Sequence, residues 1–220
     1  MPGRPDLGTG LSLLFWGPCA EEGAAVSYAT AAEEMPAYKR ERRKRIVRAA
    51  LVMLDEQDYE EIRIAEVAQR AEVALGTLYR YFTSKEQLYA VALQEWLAHL
   101  SAPEPLPGQL PDERIRARVH AVIDAFAGQP RFFKLLMLLY SSNDPEVGSI
   151  RTAISANAQR LLAQDMDVLS NPTTQDAAIM LWSVVSNQLL NAAFHDGSYA
   201  EVHRIADVCI SLLADQTRPG

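Results

Sequence analysis

The sequence predicts an all-α protein. Apolar residues recur every three to four positions along most of the chain, and no segment alternates apolar with polar side chains as a half-buried strand would. Pro and Gly interrupt the pattern at helix-length intervals. With 220 residues, 49% of them hydrophobic, the chain can build a real core, which excludes wholesale disorder. The length fits a small module followed by a larger helical one.

Residues 1–35 are rich in Gly, Ala, Pro and Glu and hold no sustained period, so they are expected to form a disordered extension. Met35, just before a basic run, offers a second reading in which the natural start lies there. From Lys39 the pattern is helical, with Ile46, Ala50, Met53 and Leu54 on one face. Asp55–Glu61 is a polar turn, Ile64–Ala71 a short helix, and Ala74–Phe82 a second one. Thr83-Ser84 caps a longer helix from Lys85 that carries Leu88, Ala92 and Trp96. Pro103, Pro105, Pro107 and Pro111 then make a loop no helix can cross.

Asp112 opens the next helix, with Ile115, Val119, Val122 and Phe126 at helical spacing. Gly128 and Pro130 separate it from the apolar Phe132–Tyr140. Ser142-Asn143-Asp144-Pro145 starts a helix expected to run to Leu169. Two last helices span about Thr173–His195 and Tyr199–Ala214. The resulting division is an extension (1–35), a helix-turn-helix head (36–90) and a helical body (91–220).

The net charge of −7 argues by itself against a nucleic-acid binder, but the distribution of that charge points the other way. Residues 36–90 hold eleven Lys/Arg against nine Asp/Glu, and seven of those cations fall between Lys39 and Arg48. Such a run is either a solvated face or, placed directly before a helix-turn-helix, a set of DNA contacts that includes Arg42, Arg43 and Arg45. Two short helices joined by a very tight turn have the helix-turn-helix geometry, whose second helix fits the major groove. Gly76 within that second helix costs about 1 kcal/mol against Ala and permits close approach of backbone to DNA. Thr77 can bond a base or phosphate, and Tyr79, Arg80 and Tyr81 cannot all be buried. Lys85 stands at a helix N-terminus, where phosphate is favoured.

The stretch Val73-Ala-Leu-Gly-Thr-Leu-Tyr-Arg-Tyr-Phe-Thr-Ser-Lys85 resembles the signature of the TetR family of transcriptional regulators. The resemblance covers about Arg42 to Leu93. It implies an N-terminal DNA-binding head, a C-terminal domain that dimerises through the last two helices, and a small-molecule effector. It puts Leu75, Gly76, Thr77, Tyr79, Arg80 and Tyr81 at the DNA, with Lys85 and Arg63 on phosphate. The sequence departs from the pattern at Glu72, where the family usually has Gly, and at Ala74, where it has a Ser/Thr cap. Together with Arg40–Ile46, the motif also resembles the actinobacterial repressors of sterol catabolism.

In the body, Phe126, Phe132, Phe133, Leu136, Met137, Tyr140, Met166 and Trp182 either pack the core or line a pocket for a hydrophobic ligand, with Asn187 and Asn191 available to orient it. Ile179, Trp182, Val185, Leu189 and Ala193 stripe one helix of the expected dimer pair. Val202, Ile205, Cys209 and Leu212 stripe the other.

Cys19 and Cys209 and the four histidines show no ligand spacing, so no metal, disulfide or cofactor is expected. No Gly-rich phosphate loop or catalytic constellation is present, and no enzyme activity is expected. Leu11–Trp16 is too short for a signal-peptide core, and no apolar run reaches the roughly 18 residues of a membrane span. The chain reads as a soluble, cytoplasmic homodimer that binds a pseudo-palindromic double-stranded operator and is released by a hydrophobic effector. Two rival readings are a family-type DNA binder governed by a protein partner, marked by a filled core, and a helical enzyme or lipid carrier, marked by an acid/base pair in its cavity.

Overall fold

A computed structural model describes residues 35–100, 108–166, 174–195 and 197–215. The N-terminal extension and the Pro103–Pro107 loop lie outside the described residues, as does the side chain of Met166. Nine helices follow among them: α1 Ala37–Glu56, α2 Ile64–Arg70, α3 Leu75–Tyr79, α4 Lys85–Ala98, α5 Pro111–Gly128, α6 Pro130–Tyr140, α7 Pro145–Met166, α8 Thr174–Phe194 and α9 Tyr199–Asp215. The described residues contain no strand.

In the head, α1 packs along α4 and carries α2 across it. The predicted stripe Ile46, Ala50, Met53 and Leu54 is buried, joined by Val47 and Ala49. Leu78, Phe82, Leu88 and Tyr89 complete this part of the core. α3 is shorter than the nine residues the periodicity suggests. Ser84 takes an extended backbone (φ −143°, ψ 163°) to cap α4, and its Oγ accepts a hydrogen bond from the Gln87 N–H at 3.0 Å. The chain therefore has to leave helical geometry before Thr83. It does so through a turn in which the N–H groups of Arg80 and Tyr81 bond the carbonyls of Thr77 and Leu78.

α4 continues out of the head into the body, where it meets α6 and α7. α5 pairs with α9, and α8 lies between α9 and α7. α5 starts one residue earlier than its Asp112 signal, with Pro111 at the first helical position. The Glu113 carboxylate accepts from the Leu110 N–H at 2.9 Å.

Phe132 and Phe133 belong to the core. Trp96 lies 4.5 Å from Phe132 and 5.4 Å from Phe126, and Phe126 meets Phe133 edge-on at 5.1 Å. Such aromatic contacts fix the junction of α4, α5 and α6.

α8 is long and apolar enough to cross a bilayer by length and composition, yet Ala177, Ala178, Leu181, Val185 and Leu189 are packed inside the bundle. Its opposite side exposes Met180 and Phe194, and the neighbouring α9 exposes Val208 and Leu212. Two faces of α8 are thus apolar, and the protein's own core covers one of them.

Candidate nucleic-acid interface and effector cavity

The turn between α2 and α3 is closed by backbone alone. The Val73 N–H bonds the Ala68 carbonyl and the Glu72 N–H bonds that of Gln69, both at 3.0 Å, which is the paired Schellman arrangement at a helix C-terminus. That arrangement requires a left-handed residue after the helix, and Glu72 supplies it at φ 53°. Its neighbour Ala74 occupies the α3 N-cap without a side-chain hydrogen bond. The two family positions at which this sequence departs are therefore the left-handed and capping positions of the turn.

α3 buries Leu78 and turns Leu75 (40% exposed), Gly76, Tyr79 (45% exposed) and Arg80 outward. Thr77 and Tyr81 are half-buried. A Cβ built on Gly76 would meet nothing within 4 Å, and its φ is negative, so no internal packing or backbone constraint accounts for glycine there. Arg63 is exposed at the N-cap of α2, and Arg45 is exposed on α1. Arg42 and Arg43 are half-buried, the latter with its guanidinium 5.3 Å over the Phe82 ring. Arg43 therefore packs on the head's own core.

Lys85, expected on phosphate, makes internal contacts that the sequence did not reveal. Its ammonium donates to the Tyr59 carbonyl at 2.5 Å and lies 4.1 Å above the Tyr59 ring. Burial holds its pKa below the usual lysine value, with Glu60 opposing. The Tyr59 hydroxyl is pushed up to about 12 by burial, helped by Glu86 and Glu60. Lys85 thus fastens the α1–α2 loop to the start of α4.

The first turn of α4 is also joined to the α6–α7 corner. The buried Gln87 accepts from the Thr83 N–H at 2.6 Å and donates to Glu146 on α7. Ser142 donates to Glu86 at 2.6 Å, and Asp144 caps α7 by accepting from the Glu146 N–H at 2.8 Å. A second joint runs from Arg131 on α6 to Asp58 (3.0 Å) and the Asp55 carbonyl (2.5 Å).

In the body, α4 to α8 line a partly open cavity of about 370 Å³. Phe126, Leu136 and Trp182 line it, as does the α7 run Ala153, Ile154, Ala158 and Leu161. Other sequence candidates lie elsewhere. Phe132 and Phe133 are in the core, and Met137 borders a separate groove beside Tyr59 and Phe194. The Tyr140 hydroxyl is within hydrogen-bond distance of Ser155 (3.1 Å). Asn187 and Asn191 are exposed and outside the lining, because the apolar side of α8 takes the inward position. The polar lining comes instead from Gln94, Arg118 and Asn157, on three other helices. Arg118 stands next to Val119 on the α5 stripe, and that adjacency was the one sequence signal that could have found it.

Near the cavity, α5 and α9 share a polar seam. His120 Nε2 is 2.8 Å from the Asp207 carboxylate, which Arg116 also bonds, and His203 Nε2 is 2.9 Å from Asp124. No group of three or more His, Cys, Asp or Glu among the described residues could hold a metal ion.

A helix-turn-helix head joined through α4 to a helical body is the arrangement of a DNA-binding regulator. Residues 46–92 match the model of the bacterial regulatory proteins of the tetR family. Over 142 residues the chain is 31% identical to the HTH-type transcriptional repressor KstR of Rhodococcus jostii, covering 64% of this chain and 66% of that one. It is 29% identical over 184 residues to the KstR repressor of Mycobacterium tuberculosis, covering 80% and 81%. The transcriptional regulator FadR of Bacillus subtilis, solved in complex with stearoyl-CoA, shares the fold with a TM-score of 0.60 at 17% identity, over 77% of this chain and 96% of that one. The chain belongs to the TetR family of bacterial transcriptional regulators.

Proposed function

We propose that this regulator is a homodimeric repressor that leaves a pseudo-palindromic operator when a hydrophobic small molecule fills the body cavity. The observation that carries the reading is a shared pair of helices. α4 and α7 wall the cavity, and their first turns are bonded to each other against the DNA-reading head. A ligand that spreads α4 from α7 would change the distance between two heads and so their fit to adjacent half-sites. Head (36–90) and body (91–220) then divide within α4, which belongs to both.

The partner for the body is a second copy of the chain. Met180 and Phe194 on α8 and Val208 and Leu212 on α9 form an exposed apolar surface, with the half-buried Val184, Leu190 and Ile205 beside them. A two-fold dimer buries the same patch from both sides. The operator contacts are those of α3, with Arg63, Arg42 and Arg45 at the flanks and the backbone N–H groups at the start of α4 on phosphate. The work is that of a cytoplasmic binding protein and not of an enzyme, as with the regulators it resembles. A cavity of this size favours a small-molecule inducer over control by a protein partner alone. The sterol-regulator resemblance and the apolar lining point to a steroid or an acyl thioester.

Selection from a random DNA pool supplies the operator, and a thermal-shift screen of steroids and acyl thioesters supplies the effector. An effector is expected to raise Tm and to weaken operator binding by roughly 5–150-fold. Stabilisation by a hit with operator affinity unchanged refutes induction by that compound. Equal affinity for a half-site and for the full palindrome refutes the dimeric reading.

A further inference from the structure

The cavity is apolar at depth and polar toward solvent. Phe126, Leu136, Leu181 and Val185 on its wall are fully or nearly buried, whereas Gln94 on α4 is half-buried and Asn157 on α7 is exposed. Arg118, the one charged side chain among the described lining residues, already has an interaction partner, which leaves the two amides to take a polar atom of a ligand. The Asn157 amide is oriented. Its Oδ1 accepts from the Arg160 guanidinium at 2.7 Å, and since a guanidinium only donates, the two Nδ2 hydrogens are left for another acceptor. The Gln94 amide is unpartnered among the described residues and can present its own N–H donors in the same way. α4 and α7 pack side by side, their first turns joined by the Gln87–Glu146 hydrogen bond. Gln94 comes about two helical turns after Gln87, and Asn157 about three turns after Glu146. Each amide therefore lies on the face of its helix that carries this bond.

We infer that Gln94 and Asn157 are the specificity-determining pair of the cavity, both donating to a carbonyl oxygen of an uncharged lipophile. The inference rests on the proposed reading of this cavity as the effector site. A carbonyl oxygen has two lone pairs and so accepts from both amides, one on each helix. A hydrocarbon or sulfide of the same shape would leave those donors against an apolar surface with no bond, which lowers affinity. A carboxylate would bring a charge to a wall whose described residues hold no uncommitted cation to pair it. A dry cavity of about 150 Å³ houses one benzene, so about 370 Å³ admits a body of roughly 15 heavy atoms. A medium-chain acyl thioester and a ring ketone of that size share the required carbonyl. The ligand then bridges α4 and α7 beyond the bond that joins their first turns.

The test is equilibrium dialysis of the full-length protein against matched pairs with and without the carbonyl: S-ethyl decanethioate with ethyl decyl sulfide, and cyclopentadecanone with cyclopentadecane. At least one carbonyl compound is expected to bind about ten-fold or more tighter than its partner, and which one does assigns the carbonyl as thioester or ketone. Gln94→Met and Asn157→Leu are each expected to shrink that preference and together to abolish it. Gln94→Glu, which keeps the shape and loses the donors, should shrink it as Gln94→Met does. Melting curves establish that the variants are folded. Equal affinity within both pairs, a preference that survives the double variant, or tighter binding of decanoate than of its thioester overturns the carbonyl assignment while the cavity remains the site. No binding of any compound, or wild-type binding by a cavity-blocking Ala121→Trp variant, overturns the effector site itself, and the carbonyl assignment with it.

Discussion

Gly76 occupies the second position of a five-residue helix, where alanine would normally be worth about 1 kcal/mol more. Since an added methyl would meet open space, Gly76→Ala is expected to stabilise the isolated protein by up to about 1 kcal/mol. With α3 docked on DNA as proposed, the same methyl would crowd the DNA backbone, so operator affinity should fall at least several-fold. Urea denaturation alongside gel-shift titration checks both, and unchanged affinity would mean that α3 docks some other way. Four residues earlier, Glu72 stands in the left-handed region that the turn demands, at a cost of about 1 kcal/mol for a side chain with a Cβ. Glu72→Gly should recover most of that cost and raise the urea midpoint. It should leave DNA binding intact or improve it, because a carboxylate leaves the neighbourhood of phosphate.

The functional joints are made between helices. Gln87 is buried and gives its amide proton to Glu146, so Glu146→Ala removes a hydrogen bond to a charged acceptor and should cost about 1.5–3 kcal/mol. Its more telling effect is on coupling. Effector affinity is expected to stay near wild type while the effector-driven loss of operator binding shrinks, and calorimetry with gel shifts on one preparation separates the two. In the α5–α9 seam, burial alone would raise the Asp207 carboxyl, but the hydrogen bonds from His120 and Arg116 outweigh it and hold the group below the ordinary carboxylate range. A carboxyl depressed in the folded state adds stability above its unfolded pKa of about 3.9, and that stability is lost as pH falls further. The wild type should therefore exceed Asp207→Asn in stability near neutrality by about 1 kcal/mol or less, the Asp207 side chain being over a third exposed, and the two should converge in acid. A gap that persists at about pH 2, below both pKa values, would assign the difference to packing.

At the scale of the whole molecule, the exposed apolar surface of α8 and α9 is expected to be what keeps two heads at one spacing. Leu212, 62% exposed, carries little of the monomer's own core, so Leu212→Arg should leave the melting of the monomer nearly unchanged. It should shift sedimentation toward monomer and weaken palindrome binding at least ten-fold. A variant that remains dimeric by sedimentation would place the interface elsewhere.

The same scale shows what was legible in the sequence. The head was, because Val73–Lys85 fold by contacts within a few residues of one another, and the odd residues Glu72 and Ala74 fall at the left-handed and cap positions of the turn. The Lys85–Tyr59 contact was not, because it joins residues 26 positions apart. The cavity was legible only as a concentration of apolar residues. Its lining comes from five helices, and an apolar helix such as α8 does not announce which of its two faces turns inward, so Asn187 and Asn191 pointed the wrong way.

α7 has 22 residues, a length of about 33 Å. Its first turn holds the head through Glu146, and its middle lines the cavity through Ala153, Ile154, Ala158 and Leu161. No position does both jobs. What the protein senses can thus be rewritten by exchanging side chains along the middle of the helix, while the message delivered at its end stays the same. A lineage can change its chemical vocabulary without relearning its operator, and a designer seeking a biosensor can randomise those four positions and keep the promoter.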